Sequence, residues 1–165
     1  MADCPNAKRG VGQDLVASFA VGCGDLDFET ATYKLFGSMN TKSLDFTLNT
    51  GNARSDASGN YDDVYSTYLG ATFAISGFTD LIDSALSNQN ELIQYYFDEV
   101  AAGRQPTMWL KFSGPDYPRI YYVYVLMTQS TEGANTDEKL SSSFNFTLTA
   151  TKEAGVAPVQ IRTPT

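Results

Sequence analysis

Period-two alternation of apolar and polar side chains most narrows what this chain can fold into. Over residues 42–50, Leu44, Phe46 and Leu48 point one way while Asp45, Thr47 and Asn49 point the other. Over 67–78, Leu69, Ala71, Phe73 and Ile75 repeat the pattern. Over 140–151, Phe144, Phe146, Leu148 and Ala150 alternate with Asn145, Thr147, Thr149 and Thr151. Successive side chains on a strand leave opposite faces, so each segment reads as a half-buried β-strand with its apolar set toward the core. Residues 16–21, 27–36, 107–113 and 120–127 read as further strands, the last apolar on both faces and so the most enclosed. Helical spacing is clear in one place: Leu92, Ile93, Tyr96, Phe97 and Val100 form a stripe over 88–102. Asn88 and Glu91 are placed for a capping box, and Gly103 and Pro106 for a stop. About seven strands and one helix predict a mainly β fold, a β-sandwich or barrel with one flanking α-helix. The absence of a strand–helix rhythm excludes a doubly wound sheet.

With 165 residues the chain is expected to be a single domain, 1–165, long enough to bury one real core. Three segments lack periodicity. Residues 1–15 read as an N-terminal arm, 154–165 as a C-terminal tail, and 51–66 as a long polar loop, Gly51-Asn52-Ala53-Arg54-Ser55-Asp56-Ala57-Ser58-Gly59-Asn60-Tyr61-Asp62-Asp63 and on. A loop this long inside a compact domain is usually functional. Residues 130–137 form a second polar loop.

Lys and Arg number 11 against 19 Asp and Glu, a net charge of −8, which argues against binding nucleic acid by phosphate neutralisation or docking on an anionic membrane. The count of 0 histidines removes His-based triads, Cys–His pairs and most catalytic zinc sites. No apolar run approaches the roughly 18 residues of a membrane span, and the first residues lack an apolar signal core. Cys4 and Cys23 are too few for a disulfide framework and read as free thiols in a reducing cytoplasm.

The remaining candidates for chemistry are weak. Asp56, Ser58, Asn60 and Asp62 space oxygen ligands like a calcium loop, but Tyr61 holds the glycine position and Thr67 that of the bidentate glutamate. Gly22-Cys23-Gly24 opens like a dinucleotide fingerprint, but the third glycine is absent and Asp27 and Glu29 follow. Asp25 and Asp27 share a strand face as paired carboxylates would, though solvated surface acids are the better reading. Trp109, Tyr117, Tyr121, Tyr122 and Tyr124 are the material of a sugar-stacking platform, and so of an alternative function, a β-sandwich carbohydrate-binding module. The competing reading puts these rings in the core and at a subunit interface, where tyrosine is enriched. No cofactor, metal or catalytic residue is expected, and the chain does not read as an enzyme.

The order of elements carries a resemblance. A strand with Leu44-Asp45-Phe46-Thr47-Leu48 enters the long polar loop. There follow Tyr68-Leu69-Gly70-Ala71-Thr72-Phe73-Ala74-Ile75-Ser76-Gly77-Phe78, the helix, and Met108-Trp109-Leu110-Lys111-Phe112. Ser142-Ser143-Phe144-Asn145-Phe146-Thr147-Leu148-Thr149 closes the series. Over residues 15–151 this resembles the major tail tube proteins of long-tailed bacteriophages, mainly the non-contractile siphophage type. The resemblance implies a tail-tube-like fold and a structural virion protein. Homohexameric rings would join their strands into one inner barrel and stack helically around a tape-measure protein. DNA would later pass through the lumen without sequence-specific binding. It implies partners in the tail terminator and the distal tail or baseplate proteins, assembly in the host cytoplasm, and no membrane. The loop 51–66 would reach the next ring, with Arg54, Asp56, Asp62 and Asp63 as inter-ring contacts, and the arms 1–15 and 154–165 would link neighbours. Some relatives carry a C-terminal immunoglobulin-like domain; the few residues after the last expected strand are too short for one.

Overall fold

The computed structural model describes residues 15–53, 63–115, 117–134 and 139–164. The strands in chain order are β1 (Val16–Val21), β2 (Lys34–Leu35), β3 (Met39–Ala53) and β4 (Asp63–Phe78), then after the helix β5 (Thr107–Ser113), β6 (Ile120–Gly133), β7 (Ser141–Leu148) and β8 (Val159–Arg162). The helix α1 is Gln89–Ala101. All pairings are antiparallel in one sheet of order β2-β1-β5-β6-β7-β4-β3, with β8 paired to β6 beside this path. The mainly β fold with one helix matches the sequence reading.

Alternation decides which face is buried. Ala17, Phe19, Ala71, Phe73, Ile75, Met108, Leu110, Phe112, Val123, Val125, Phe144 and Phe146 project from one face into the main core, which Leu92 of α1 enters from outside the sheet. Strands distant in the sheet meet across this core. Phe73 of β4 stacks on Phe112 of β5 at 5.8 Å, and Phe36, just after β2, lies 6.0 Å from both Phe144 and Phe146 of β7. One sheet therefore curls around its own apolar face, with the helix closing a remaining side.

Several boundaries differ from those read off the sequence. The strand expected over 27–36 shrinks to Lys34–Leu35, because Asp27 turns the chain: its carboxylate accepts from the Glu29 amide and the Thr30 hydroxyl. Such local bonding competes with a ladder. The loop expected over 51–66 is narrower, since Gly51 pairs Tyr65, Asn52 pairs Val64 and Ala53 pairs Asp63. The loop expected over 130–137 begins later, as β6 stays paired with β7 through Gly133. The tail expected over 154–165 contains β8, which takes the β6 edge over Ile120–Val123, just before β7 takes that edge from Val125. The alternation of β7 ends at Leu148, leaving Ala150 exposed and Thr151 buried, the reverse of the reading for those two.

The helix is capped otherwise than its sequence suggests. Asn88 makes no side-chain cap; its amide donates to the Leu35 carbonyl. The free amides of the first turn go instead to Asp83, whose two carboxylate oxygens accept from Asn90 and Glu91 at 3.0 Å. Glu91 pairs with Lys34 across to β2 rather than closing a box. The C-terminal stop forms as read. Gly103 adopts φ +69°, its amide reaches the Val100 carbonyl and that of Arg104 reaches Glu99, a Schellman motif.

Candidate assembly surfaces

The β3–β4 hairpin carries an apolar stripe from the core into solvent. Leu44 pairs Phe73, Phe46 pairs Ala71 and Leu48 pairs Leu69, all on one face. Phe73 and Ala71 are buried, but Phe46 is 40% exposed, Leu69 46% and Leu48 59%. Val64 continues this side of the hairpin, while Tyr65 and Tyr68, paired with Gly51 and Asn49, are exposed on the opposite face. The reason is topological. β7 pairs β4 only over Thr72–Phe78, so among the described residues the distal half of the hairpin has no further strand beside it and no helix over it. β3 is also the sheet edge. A long edge strand with apolar side chains is a template for association.

A second exposed apolar group sits on the segment between β4 and α1, where Leu81, Ile82 and Leu86 face solvent, and Phe97 and Val100 of α1 are also open. The helical stripe read from sequence is thus split: Leu92 is buried, while Ile93 and Tyr96 are half-buried against the core. A polar junction fixes this segment. Asp80 accepts from the Ser38 amide at 3.0 Å and the Ser38 hydroxyl at 2.9 Å. Gln89, fully buried, donates to the Phe78 carbonyl at 3.0 Å and accepts from the Asp80 amide at 3.1 Å. Burial works to raise the Asp80 pKa, but the Ser87 and Ser38 hydroxyls and the Ser38 amide outweigh it, holding the carboxyl below its ordinary 3.8. Gly37, at φ +88°, permits the approach: a Cβ there would lie 2.2 Å from the Ser87 oxygen and 2.3 Å from an Asp80 oxygen.

The aromatic residues read as a possible sugar platform form a second small core on the other face of β5 and β6. Trp109, Tyr122 and Tyr124 are buried there beneath Leu26, Phe28, Tyr33 and Val156. Phe28 lies 5.0 Å from Trp109 and 5.3 Å from Tyr122. Lys111 reaches over the Tyr33 and Tyr122 rings. Arg162 of β8 covers Phe28 and pairs with Glu29 at 2.6 Å. A fully buried Trp109 cannot stack on a sugar, so the platform is corrected to a core. Tyr121 is half-buried, 6.1 Å from Phe46 and 6.3 Å from Tyr117. Asp25 and Asp27 do not share a strand, because both fall in the turns after β1, where Asp27 is committed to Glu29 and Thr30.

Among the described residues, none packs over the non-core face of β3, β4, β7 and the second half of β6. Three rows of paired residues cross it: Asp45–Thr72–Thr147–Leu126, Ser43–Ala74–Asn145–Gln129 and Thr41–Ser76–Ser143–Thr131. Asp45 is the one charged residue in these rows, and it accepts from the Ser43 hydroxyl. Asn145 donates to Gln129 at 2.8 Å and Gln129 to Thr131 at 3.1 Å. The flanking pairs, Thr47–Gly70 and Phe78–Ser141, add no charge, although Lys139 reaches the rim over the Phe78 ring.

Of the expected inter-ring contacts, Asp63 opens β4 opposite Ala53, while Arg54, Asp56 and Asp62 lie outside the described residues, as does the calcium-like spacing from Asp56 to Asp62 and the arm 1–14. Among the described residues no cluster of His, Cys, Asp or Glu is placed to hold a metal ion. No helix among them is long and apolar enough to cross a membrane. Sequence reasoning missed the exposed stripe at Phe46, Leu48 and Leu69. Its period-two signal is that of an ordinary core strand, and only the shortness of β7 distinguishes the two.

No known family's sequence profile matches the chain, and no curated protein does. Solved structures match over nearly its whole length. A chain from the tail of an empty gene transfer agent particle, refined with C6 symmetry, aligns with a TM-score of 0.65 at 14% identity, covering 95% of this chain and 100% of that one. The SPP1 tail tube protein aligns with a TM-score of 0.60 at 11% identity, covering 94% of this chain and 80% of that one. A chain of the anti-feeding prophage baseplate gives 0.60 at 8% identity, covering 95% and 97%. The chain has the tail-tube fold.

Proposed function

We propose that this protein is the structural subunit of a phage-type tail tube and has no enzymatic role. Copies close into six-membered rings, the rings stack helically into a tube, and the bore conducts DNA from the virion toward the host. The observation that carries this reading is the exposed apolar stripe Phe46–Leu48–Leu69 on a hairpin that outruns its own sheet, within a fold shared with tail tubes. A soluble monomer rarely keeps such a stripe open, whereas a ring closed by copies of one chain covers it and removes the free strand edge. The C6 symmetry of the gene transfer agent tail supports the number six.

In this reading the tube is of the non-contractile type and grows in the host cytoplasm around a tape-measure protein. It is closed by a terminator at one end and by distal tail or baseplate proteins at the other. The segment between β3 and β4 reaches the next ring, with Arg54, Asp56, Asp62 and Asp63 as contacts. Negative-stain electron microscopy of purified protein, concentrated and aged, tests the assembly: stacked rings or hollow tubes are expected. Deleting residues 55–62 is expected to leave a folded subunit that cannot stack, and tubes of normal length from that deletion would remove the inter-ring role.

A further inference from the structure

The non-core face of β3, β4, β7 and β6 has a chemistry unlike the rest of the molecular surface. Soluble protein surfaces carry roughly a quarter to a third charged residues, yet the three rows across this face hold Asp45 alone. Its other members are hydroxyls and amides, several bonded to one another, such as Asn145 to Gln129 and Gln129 to Thr131. The face is also a poor protein interface. Interface centres are enriched in aromatic residues, Met and Arg, and here Leu126, Phe78 and, past the Thr47–Gly70 pair, Tyr68 stand at the margins with none between. The exposed apolar side chains that would drive association lie elsewhere, on the distal hairpin and at Leu81, Ile82 and Leu86.

Resting on the tail-tube reading above, we infer that this face stays wet in the assembly as the wall of the bore, and that the bore is nearly uncharged along it. In a narrow channel with low-dielectric walls each fixed charge acts strongly, and a ring repeats it in every subunit. A basic wall would hold phosphates and an acidic one would repel them. A hydroxyl and amide wall keeps its hydrogen bonds with water and does neither, so a polyanion slides past hydrated groups. Of the acidic residues behind the net charge of −8, the three rows hold Asp45 alone.

The test uses full-length protein with Cys4→Ser and Cys23→Ser, and one new thiol at Ser143→Cys, in the middle of the face, with Thr72→Cys as the second site. Tubes are verified by electron microscopy in the same sample. Each is treated with a cationic and an anionic methanethiosulfonate of similar size at low salt. At residue 143 both reagents are expected to react, with a rate ratio within about twofold of that in free subunits. At residue 72, directly opposite Asp45, a modest preference for the cation is expected, and Asp45→Asn should abolish it. A biotin maleimide at either site should stay inaccessible to streptavidin until the tubes are dissociated. A cation preference of about tenfold or more at residue 143 would mean an acidic bore and overturn the inference. No reaction in tubes would mean a dry interface, and streptavidin capture on intact tubes an outer surface; either overturns it while leaving the tube reading intact. Absence of tubes from the parent chain overturns both.

Discussion

The rings of Phe46 and Phe73 meet nearly edge to face, centroids 5.6 Å apart and planes at 81°, at the point where the β3–β4 hairpin leaves the core. Phe73 is buried; Phe46 is 40% exposed. Edge-to-face contact suits the quadrupoles of two aromatic rings, so the buried residue fixes the half-open one. The hairpin is thereby divided. One half folds the subunit, and the other presents apolar side chains that the described remainder of the subunit leaves open.

Phe73→Ala should therefore act on folding. It removes a ring that stacks on Phe112 and supports Phe46, and a cost of about 3–5 kcal/mol is expected. Trp109, the only tryptophan and buried in the second core, reports unfolding through its fluorescence. The urea midpoint should fall sharply in this variant.

Leu48→Asp should act on assembly. Leu48 is 59% exposed and pairs only with Leu69, so the subunit should lose no more than about 0.5 kcal/mol. In a covered interface the same carboxylate is buried without a partner, which costs several kcal/mol per subunit. Sedimentation velocity should show a folded monomer that forms no rings at concentrations where the parent does. Rings of normal yield would exclude this stripe from the interface.

How much of this could be read from the sequence depends on the range of the force involved. Period-two alternation placed β3, β4 and β7 because sheet geometry acts residue by residue, and the glycine at 103 announced its own left-handed turn. Three features escaped because each depends on a distant partner. β8 forms because β7 ends at Leu148 and leaves the β6 edge open over Ile120–Val123. Gln89 is buried because Phe78 and Asp80 supply its partners, and no local pattern marks a buried glutamine. Asp83 replaces Asn88 as the helix cap because the preceding segment folds back. Trp109 was legible as an aromatic, but its burial depends on residues 26–33 and 156 folding over it.

The Asp80 junction predicts a pH dependence with a definite sign. Its carboxyl titrates below its ordinary 3.8 in the folded chain, so it stabilises the fold above that value and loses the contribution as pH falls through the lower folded pKa. Asp80→Asn turns one of the two accepting oxygens into an NH2 donor, so the Ser38 amide and hydroxyl can no longer both keep their acceptor, and it should cost about 1–3 kcal/mol near neutral pH. The difference between parent and variant should narrow as pH falls below the ordinary carboxyl value. Urea midpoints measured at neutral pH and at about pH 3 check this, and a gap that widens in acid would contradict the assignment.

Arg162→Ala tests how β8 is held. The strand offers four residues to the β6 edge, and Arg162 ties it down by pairing with Glu29 and covering Phe28. Both partners of the ion pair are about half exposed, so the pair itself contributes at most about 1 kcal/mol, with a similar amount from the cation–ring contact. Global stability should change little, because Trp109 and Tyr122 stay packed under Phe28 and Tyr33. The local opening of β8 should become easier, by a factor of roughly five to thirty in exchange rate at its paired amides. Hydrogen exchange read by mass spectrometry on the C-terminal peptide should show this acceleration while peptides from β5 remain protected. Equal acceleration in β5 would mean that Arg162 supports the whole second core rather than its last strand.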